Sequence, residues 1–107
     1  MFIETPEFIR KIDALDSEDA FIDLQKELIE NPLKGKIIKG TGGARKIRMK
    51  VKGRGKSGGA RTIYYYVDFK GEVWFLDVYL KNEKSTLTEN DKSSIYRFIK
   101  EIINEEG

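Results

Sequence analysis

A central segment of the chain concentrates positive charge and contains no acidic residue. Residues 31–67 carry eleven basic side chains: Lys34, Lys36, Lys39, Arg45, Lys46, Arg48, Lys50, Lys52, Arg54, Lys56 and Arg61. Residues 1–30 hold nine acids and three bases, and residues 68–107 hold nine and six, so the net charge of +2 conceals this asymmetry. Lys and Arg gathered on one surface attract polyanions and are typical of nucleic-acid sites. We expect a nucleic acid as partner, against the simpler alternative of a solvated charged face.

The residue types that are missing restrict the chemistry of this chain. It contains no His and no Cys, which excludes imidazole acid–base catalysis, a thiolate nucleophile and a disulfide framework. No acid-rich loop has the ligand spacing of a metal site, so we expect neither a metal nor another cofactor. The first ten residues lack the features of a signal peptide, and no run of 18 apolar residues occurs. We expect one cytoplasmic domain over residues 1–107, with no membrane contact.

Two glycine motifs lie in the basic segment, and neither has the context that its chemistry needs. Residues 53–58, Gly-Arg-Gly-Lys-Ser-Gly, match the pattern of dinucleotide-binding loops, but the residues from Arg61 onward predict a strand where a helix is required. The Gly-Lys-Ser within it is typical of nucleotide phosphate loops, yet Lys50 stands where such a loop needs glycine. We predict a loop whose glycines let backbone amides approach phosphates, beside Lys52, Arg54 and Lys56.

The elements that must position these side chains begin with a helical hairpin. Met1–Glu4 reads as a short strand, after which Thr5 and Pro6 are typical of a helix start. A second helix is predicted from Asp16 or Ser17 to the residue before Asn31-Pro32, because a residue preceding proline avoids helical angles.

Beyond residue 35 the pattern changes to strands. Ile47, Met49 and Val51 alternate with basic residues, which predicts a strand with one apolar and one basic face. Residues 62–67 and 73–80 predict an antiparallel hairpin, and residues 36–39 an edge strand. A closing helix is indicated by capping-box spacing at residues 88 and 91 and by one apolar stripe: Ile95, Phe98, Ile99, Ile102 and Ile103. The fold class is α+β, with a mainly antiparallel twisted sheet.

Three segments of the chain together have a distinctive sequence: residues 40–48 (Gly-Thr-Gly-Gly-Ala-Arg-Lys-Ile-Arg), residues 52–65 (Lys-Gly-Arg-Gly-Lys-Ser-Gly-Gly-Ala-Arg-Thr-Ile-Tyr-Tyr) and residues 79–88 (Tyr-Leu-Lys-Asn-Glu-Lys-Ser-Thr-Leu-Thr). These segments resemble the RelE/HigB toxin superfamily, in particular its HigB branch. The resemblance implies a RelE-like fold and the toxin of a type II toxin–antitoxin system, a metal-independent endoribonuclease that cleaves translated mRNA on the ribosome. It also implies as partners the 70S ribosome, mRNA and a cognate HigA-type antitoxin, with a free toxin that is monomeric.

The resemblance also implies catalytic residues. Lys46 and Arg48 match paired basic residues on the family's central strand, and Arg61 matches the Arg that follows its glycine turn. RNA cleavage of this kind needs the 2′-hydroxyl activated, the pentacoordinate phosphate stabilised and the leaving 5′-oxygen protonated, and without His most of this work must be done by Lys and Arg. Because neighbouring cations disfavour the charged form of a lysine, Lys46 is the candidate base, with Arg48 and Arg61 on the phosphate.

The proton donor is left open by the sequence. Asn82 stands where the best-known RelE members carry a further Arg, and Thr88 stands where they carry a late catalytic Tyr. Lys81, Lys84 or Tyr79 could take that role, and Tyr79 could instead stack a base. The side chains expected to bind RNA without catalysing its cleavage are Arg45, Lys50, Lys52, Arg54, Lys56, Tyr79 and Asn82.

Other functions use the same basic surface. A non-catalytic RNA- or ribosome-binding module would block translation by occupancy, and a gyrase-poisoning ParE-like relative would act through protein contacts. A structural role also competes with each assignment. Lys46, Arg48 and Lys50 could solubilise an exposed sheet face, and Arg61 could hold the glycine loop. The aromatic residues of the predicted hairpin favour the core over a stacking surface: Tyr64, Tyr65, Tyr66, Trp74 and Phe75.

Overall fold

The computed structural model describes residues 1–51, 59–84 and 86–106, and these form one mixed sheet with helices on both faces. In chain order the elements are β1 (Phe2–Glu4), α1 (Pro6–Leu15), α2 (Glu18–Glu30), β2 (Lys36–Ile37), β3 (Arg45–Met49), β4 (Ala60–Val67), β5 (Glu72–Leu80) and α3 (Glu89–Glu106). The predicted α+β fold, with its N-terminal strand, helical hairpin, sheet and closing helix, is confirmed. The predicted phosphate contacts at Lys52, Arg54 and Lys56 lie outside the described residues.

The helical hairpin begins and ends where the sequence predicts. The Thr5 side-chain oxygen accepts a hydrogen bond from the Phe8 N–H (3.4 Å) and donates one to the Phe75 carbonyl (2.9 Å), which ties the start of α1 to β5. Asp16 ends α1 in the left-handed conformation, with φ of 48°, and α2 ends at Glu30, before Asn31 and the proline.

The sheet has the order β1-β5-β4-β3-β2. β1 runs parallel to β5, whereas the other neighbouring strands are antiparallel, which confirms the predicted β4–β5 hairpin. Two boundaries differ from expectation. The edge strand β2 contains only two residues of the predicted four, and β3 ends at Met49, so Val51 lies beyond it although its side chain is buried.

The two faces of the sheet are covered by different helices, because side chains alternate along a strand. α1 and α2 cover one face, where Phe8 stacks on Phe75 with 5.1 Å between ring centroids and Met49 joins the same core. α3 covers the other face, where Ile99 packs against Ile63. In the predicted apolar stripe of α3, Ile99 and Ile102 are buried but Ile103 is 41% exposed. No helix among the described residues combines the length and apolar character needed to cross a membrane.

A bulge in β5 changes which face its side chains meet. Ile63 pairs with Asp77 and Tyr64 pairs with Phe75, so Leu76 has no partner on β4. Leu76 packs on the α3 side, while Asp77 forms an ion pair with Lys11 of α1 at 2.7 Å. The bulge therefore ties β5 to both helical layers, directly before the strand reaches the basic surface.

Candidate active site

Three side chains form a row across the central strands on the face of the sheet that α3 partly covers. Arg48 of β3 pairs with Arg61 of β4, and Arg61 pairs with Tyr79 of β5. Paired residues on neighbouring strands lie on the same face, with Cβ atoms about 4.5–5.5 Å apart. Met49, on the other face of β3, packs with α1 and α2, and Tyr79 packs against the α3 core. The three side chains are thus held together on rigid strands.

The two arginines lie opposite each other on neighbouring strands. Neither Arg48 nor Arg61 takes part in the ion pairs formed among the described residues. Like charges directly opposite each other on neighbouring strands are destabilising. The Arg61 Nε is fully buried and has no hydrogen-bond partner in the described part of the chain. A buried donor without an acceptor is costly, and so are like charges on directly opposite residues, so the pairing of Arg48 with Arg61 is a destabilising feature of the described structure.

Two lysines extend this row toward the edge of the sheet. We call the five side chains together the basic row: Lys36, Lys46, Arg48, Arg61 and Tyr79. Lys46 lies two residues before Arg48 on the same face of β3, and its partner on β2 is Lys36. The partner of Lys46 on β4 is Ile63, which belongs to the α3 core. Lys46 therefore lies beside the arginine pair, next to the apolar core between the sheet and α3.

The turn after β5 brings Lys84 into contact with Tyr79 of this row. The amides of Glu83 and Lys84 both donate to the Leu80 carbonyl at 3.1 Å, which turns the chain tightly at the end of the strand. The Lys84 ammonium then lies over the Tyr79 ring, 5.5 Å from its centroid, in cation–π geometry. The predicted candidates Lys84 and Tyr79 are thus in contact, and Tyr79 links them to Arg61.

Asp91 holds the Lys84 ammonium from the other side. Its carboxylate lies 2.7 Å from the Lys84 Nζ and accepts a hydrogen bond from the Thr88 N–H at 2.9 Å. The Asp91 N–H donates in return to the Thr88 hydroxyl at 3.0 Å, so the predicted capping box at the start of α3 is confirmed. The Lys84 ammonium and the Thr88 amide lower the pKa of Asp91 to about 2. Asp91 therefore belongs to both the helix cap and the site.

Burial sets the protonation of Tyr79. Withdrawal from water raises the pKa of the phenol, and the positive charges of Arg61 and Lys84 only partly oppose that effect. Tyr79 therefore stays a neutral phenol at physiological pH, with a proton available to donate in a hydrogen bond.

The remaining predicted side chains lie at the ends of β3 and β5. Lys81, another candidate proton donor, lies directly past β5, where its amide donates to the Gly59 carbonyl at 3.1 Å, and Asn82 is exposed in the next position. Lys50 is exposed just past β3. It lines, with Arg48, a cleft whose opposite wall is the acidic side of α2: Asp19, Asp23 and Glu27.

Arg45 lies on the opposite face of the sheet from the basic row. Its partner on β4 is Tyr64, which belongs to the core under α1 and α2. The guanidinium donates to the carbonyls of Leu33 (3.1 Å) and Gly35 (2.7 Å). The Tyr64 hydroxyl accepts from the Gly35 N–H and donates to the Pro32 carbonyl, both at 2.8 Å. Arg45 and Tyr64 therefore anchor the segment before β2.

No cluster of three or more acidic side chains that could hold a metal ion occurs in the described ranges. The side chains that the structure brings together here are those of Lys46, Arg48, Arg61, Tyr79, Lys84 and Asp91. Fixed guanidinium and ammonium groups stabilise negative charge that develops at a phosphate. Sequence reasoning missed Asp91 as a member of the site, although its capping-box spacing was visible, because the contact with Lys84 depends on the turn after β5.

Comparison with known families gives one match that spans almost the whole chain. A family model described as "RelE toxin of RelE / RelB toxin-antitoxin system" matches residues 9–106. The match includes β2 to β5, α3 and every side chain of the basic row.

Proposed function

This chain belongs to the RelE toxin family, and on that premise we propose that it is a ribosome-dependent mRNA endoribonuclease that stops translation. The observation that carries the proposal is the pairing of Arg48 with Arg61 on one face of the sheet, where neither arginine forms an ion pair with another described residue. Two guanidinium groups are better suited to bind a phosphodiester than to bind another protein surface, because their forked N–H donors match the phosphate oxygens. This favours RNA cleavage over a role that depends on protein contacts alone.

In the proposed reaction the 2′-oxygen attacks the adjacent phosphorus and the bond to the 5′-oxygen breaks. The products are a 2′,3′-cyclic phosphate and a 5′-hydroxyl end. Lys46 takes the proton from the 2′-hydroxyl, and Arg48 and Arg61 stabilise the charge on the phosphorane. Lys84 donates the proton to the leaving 5′-oxygen. Tyr79, whose ring is covered by the Lys84 ammonium, contacts the RNA through its hydroxyl, with Lys50, Lys81 and Asn82 contacting the flanking RNA.

The surroundings of the row support one direction of approach for the RNA. The acidic side of α2 forms the far wall of the cleft beside Arg48 and Lys50, and it would repel a phosphate backbone. The strand therefore approaches over the α3 side of the sheet, where Lys36 and Lys46 extend the positive charge. We exclude Arg45 from the proposed contacts because its guanidinium is bound to backbone carbonyls.

The family implies an antitoxin partner, and we propose one of the HigA type that covers or blocks the basic row. An acidic segment is the chemistry that would neutralise the facing arginines. The toxin itself is proposed to act as a cytoplasmic monomer once the antitoxin is removed.

The test is primer extension on a defined mRNA with the purified protein, in the presence and absence of translating ribosomes. Wild type is compared with Arg61→Ala and Lys46→Ala, and Lys39→Ala removes an exposed charge outside the row as a matched control. We expect cuts that require ribosomes, survive in the control and are lost in both site variants. Translation that stalls while the mRNA stays intact would overturn cleavage and favour inhibition by occupancy.

A further inference from the structure

We infer that Asp91 is the positioning residue that holds Lys84 in the place from which it acts. The inference rests on the proposed function for its catalytic meaning, and on the contacts of Asp91 for its geometry. The Asp91 carboxylate is directed at the ammonium of a candidate catalytic lysine.

The ammonium of Lys84 is fixed from two sides. The Asp91 carboxylate lies 2.7 Å from it, and the Tyr79 ring lies beneath it at 5.5 Å. A lysine side chain has four rotatable bonds, so an unpaired Lys84 would sample many positions. Both charged side chains are only about a third exposed, 33% for Lys84 and 31% for Asp91, so water screens this pair less than a fully exposed one. One carboxylate therefore selects the position of the cation relative to Tyr79 and Arg61.

Asp91 is itself held in place by the start of α3. The Thr88 amide donates to its carboxylate, and its own amide donates to the Thr88 hydroxyl. The carboxylate cannot follow Lys84 elsewhere without breaking the reciprocal cap. The helix that covers this face of the sheet thus holds the carboxylate that binds Lys84.

Two variants with side chains of equal length distinguish the positioning of Lys84 from the capping of α3. Asp91→Glu and Asp91→Gln both supply the third-position residue of a standard capping box, but only Glu keeps the charge that binds Lys84. Thr88→Ala is the complementary control, because it removes the hydroxyl of the cap and leaves the Asp91–Lys84 pair. Thermal melts of all three establish that the variants fold.

The first readout is cleavage rate at saturating ribosome–mRNA complex, measured together with the concentration that gives half the maximal rate. We expect Asp91→Gln to lower the maximal rate roughly ten- to a hundredfold, the loss that a small displacement of a reacting group causes. Asp91→Glu and Thr88→Ala should retain most of it, with the half-saturating concentration unchanged throughout. Adding Asp91→Gln to Lys84→Met should cause no further loss, because the two side chains act as one unit. Equal rates for the Glu and Gln variants would overturn the positioning role.

The second readout does not depend on cleavage. Limited acylation of lysines followed by mass spectrometry reports how freely the Lys84 amine moves, with Lys39 as the internal reference. Lys84 should react several-fold faster in Asp91→Gln than in Asp91→Glu. If this difference is seen but wild type does not cleave mRNA, the contact between Asp91 and Lys84 stands and the proposed endoribonuclease activity is refuted. Equal labelling would show that Asp91 does not hold Lys84, whatever the proteins cleave.

Discussion

Replacing Arg48 or Arg61 by methionine should make the free protein more stable while it lowers the cleavage rate. Methionine keeps much of the aliphatic stem but removes the charge. Arg48→Met relieves a like-charge pair across two strands, an effect of about 0.2–1 kcal/mol. Arg61→Met relieves the same pair and also removes the buried Nε that has no acceptor in the described residues, which adds about 1 kcal/mol. Arg61→Met is therefore expected to be the more stable variant.

The expected gains can be measured as melting temperatures. For a domain of this size about 1 kcal/mol corresponds to roughly 4 °C, so we expect gains of about 1–4 °C for Arg48→Met and about 5–8 °C for Arg61→Met at low salt. The double variant should gain less than the sum, because the repulsion between the arginines is removed only once. Cleavage should fall roughly tenfold or more in each single variant, since each loses a charge-assisted bond to phosphate.

Ionic strength separates the two causes. The Debye length shortens from about 10 Å at 0.1 M salt to about 3 Å at 1 M. The gain of Arg48→Met should therefore disappear at high salt, whereas the part of the Arg61→Met gain that comes from the buried Nε should persist. Lys39→Met, which removes an exposed charge away from the row, is the control. If both arginine variants melt no higher than this control at low salt, the proposed strain between the arginines does not exist.

Three further predictions concern the framework. Tyr64→Phe should cost about 2 kcal/mol in urea unfolding with an unchanged m-value, because the buried Gly35 amide loses its acceptor, and an unchanged midpoint would contradict this. The pKa of Asp91 is lowered to about 2, so its carboxylate stabilises the fold fully above about pH 4 and this stabilisation is lost as the pH falls toward 2. Because the pair is partly exposed, the contribution is no more than about 1 kcal/mol. The free energy of unfolding of Asp91→Asn should therefore change less between about pH 4 and about pH 2 than that of wild type. Gly43→Ala should destabilise by about 1–3 kcal/mol in thermal melts, since φ is 119° and a Cβ would lie 3.1 Å from the Tyr65 ring, whereas Gly71→Ala, with open space around it, should cost less.

Local patterns predicted the elements because their causes are local. Thr5 and Pro6 start α1, a proline ends α2, and the alternation around Ile47 gives β3 two chemically different faces. The same alternation puts Arg45 in step with Ile47 and Met49, on the apolar face. That signal was present in the sequence and argues against the prediction that Arg45 binds RNA, since the structure shows it bound to backbone carbonyls.

Contacts between distant segments were beyond the reach of those patterns. The unpaired Leu76 shifts the parity of β5, and no spacing rule indicates where a bulge will occur. The approach of Lys84 to Asp91 depends on how the turn after β5 meets the start of α3. The roles assigned to Lys46, Arg48 and Arg61 stay predictions, because proximity on a sheet does not establish catalysis.

The parallel pairing of β1 with β5 delays completion of the domain during synthesis. Phe2 pairs with Val73, so the first strand has no partner until most of the chain has been made. At typical translation speeds of about 5–20 residues per second, the two strands are synthesised roughly 4–14 s apart. Tyr79 and Lys84 follow later still, and pairing between distant segments is itself slow. A nascent chain therefore cannot assemble the basic row until Tyr79 and Lys84 have been synthesised, and the arginines of β3 and β4 are made before the side chains that complete the row.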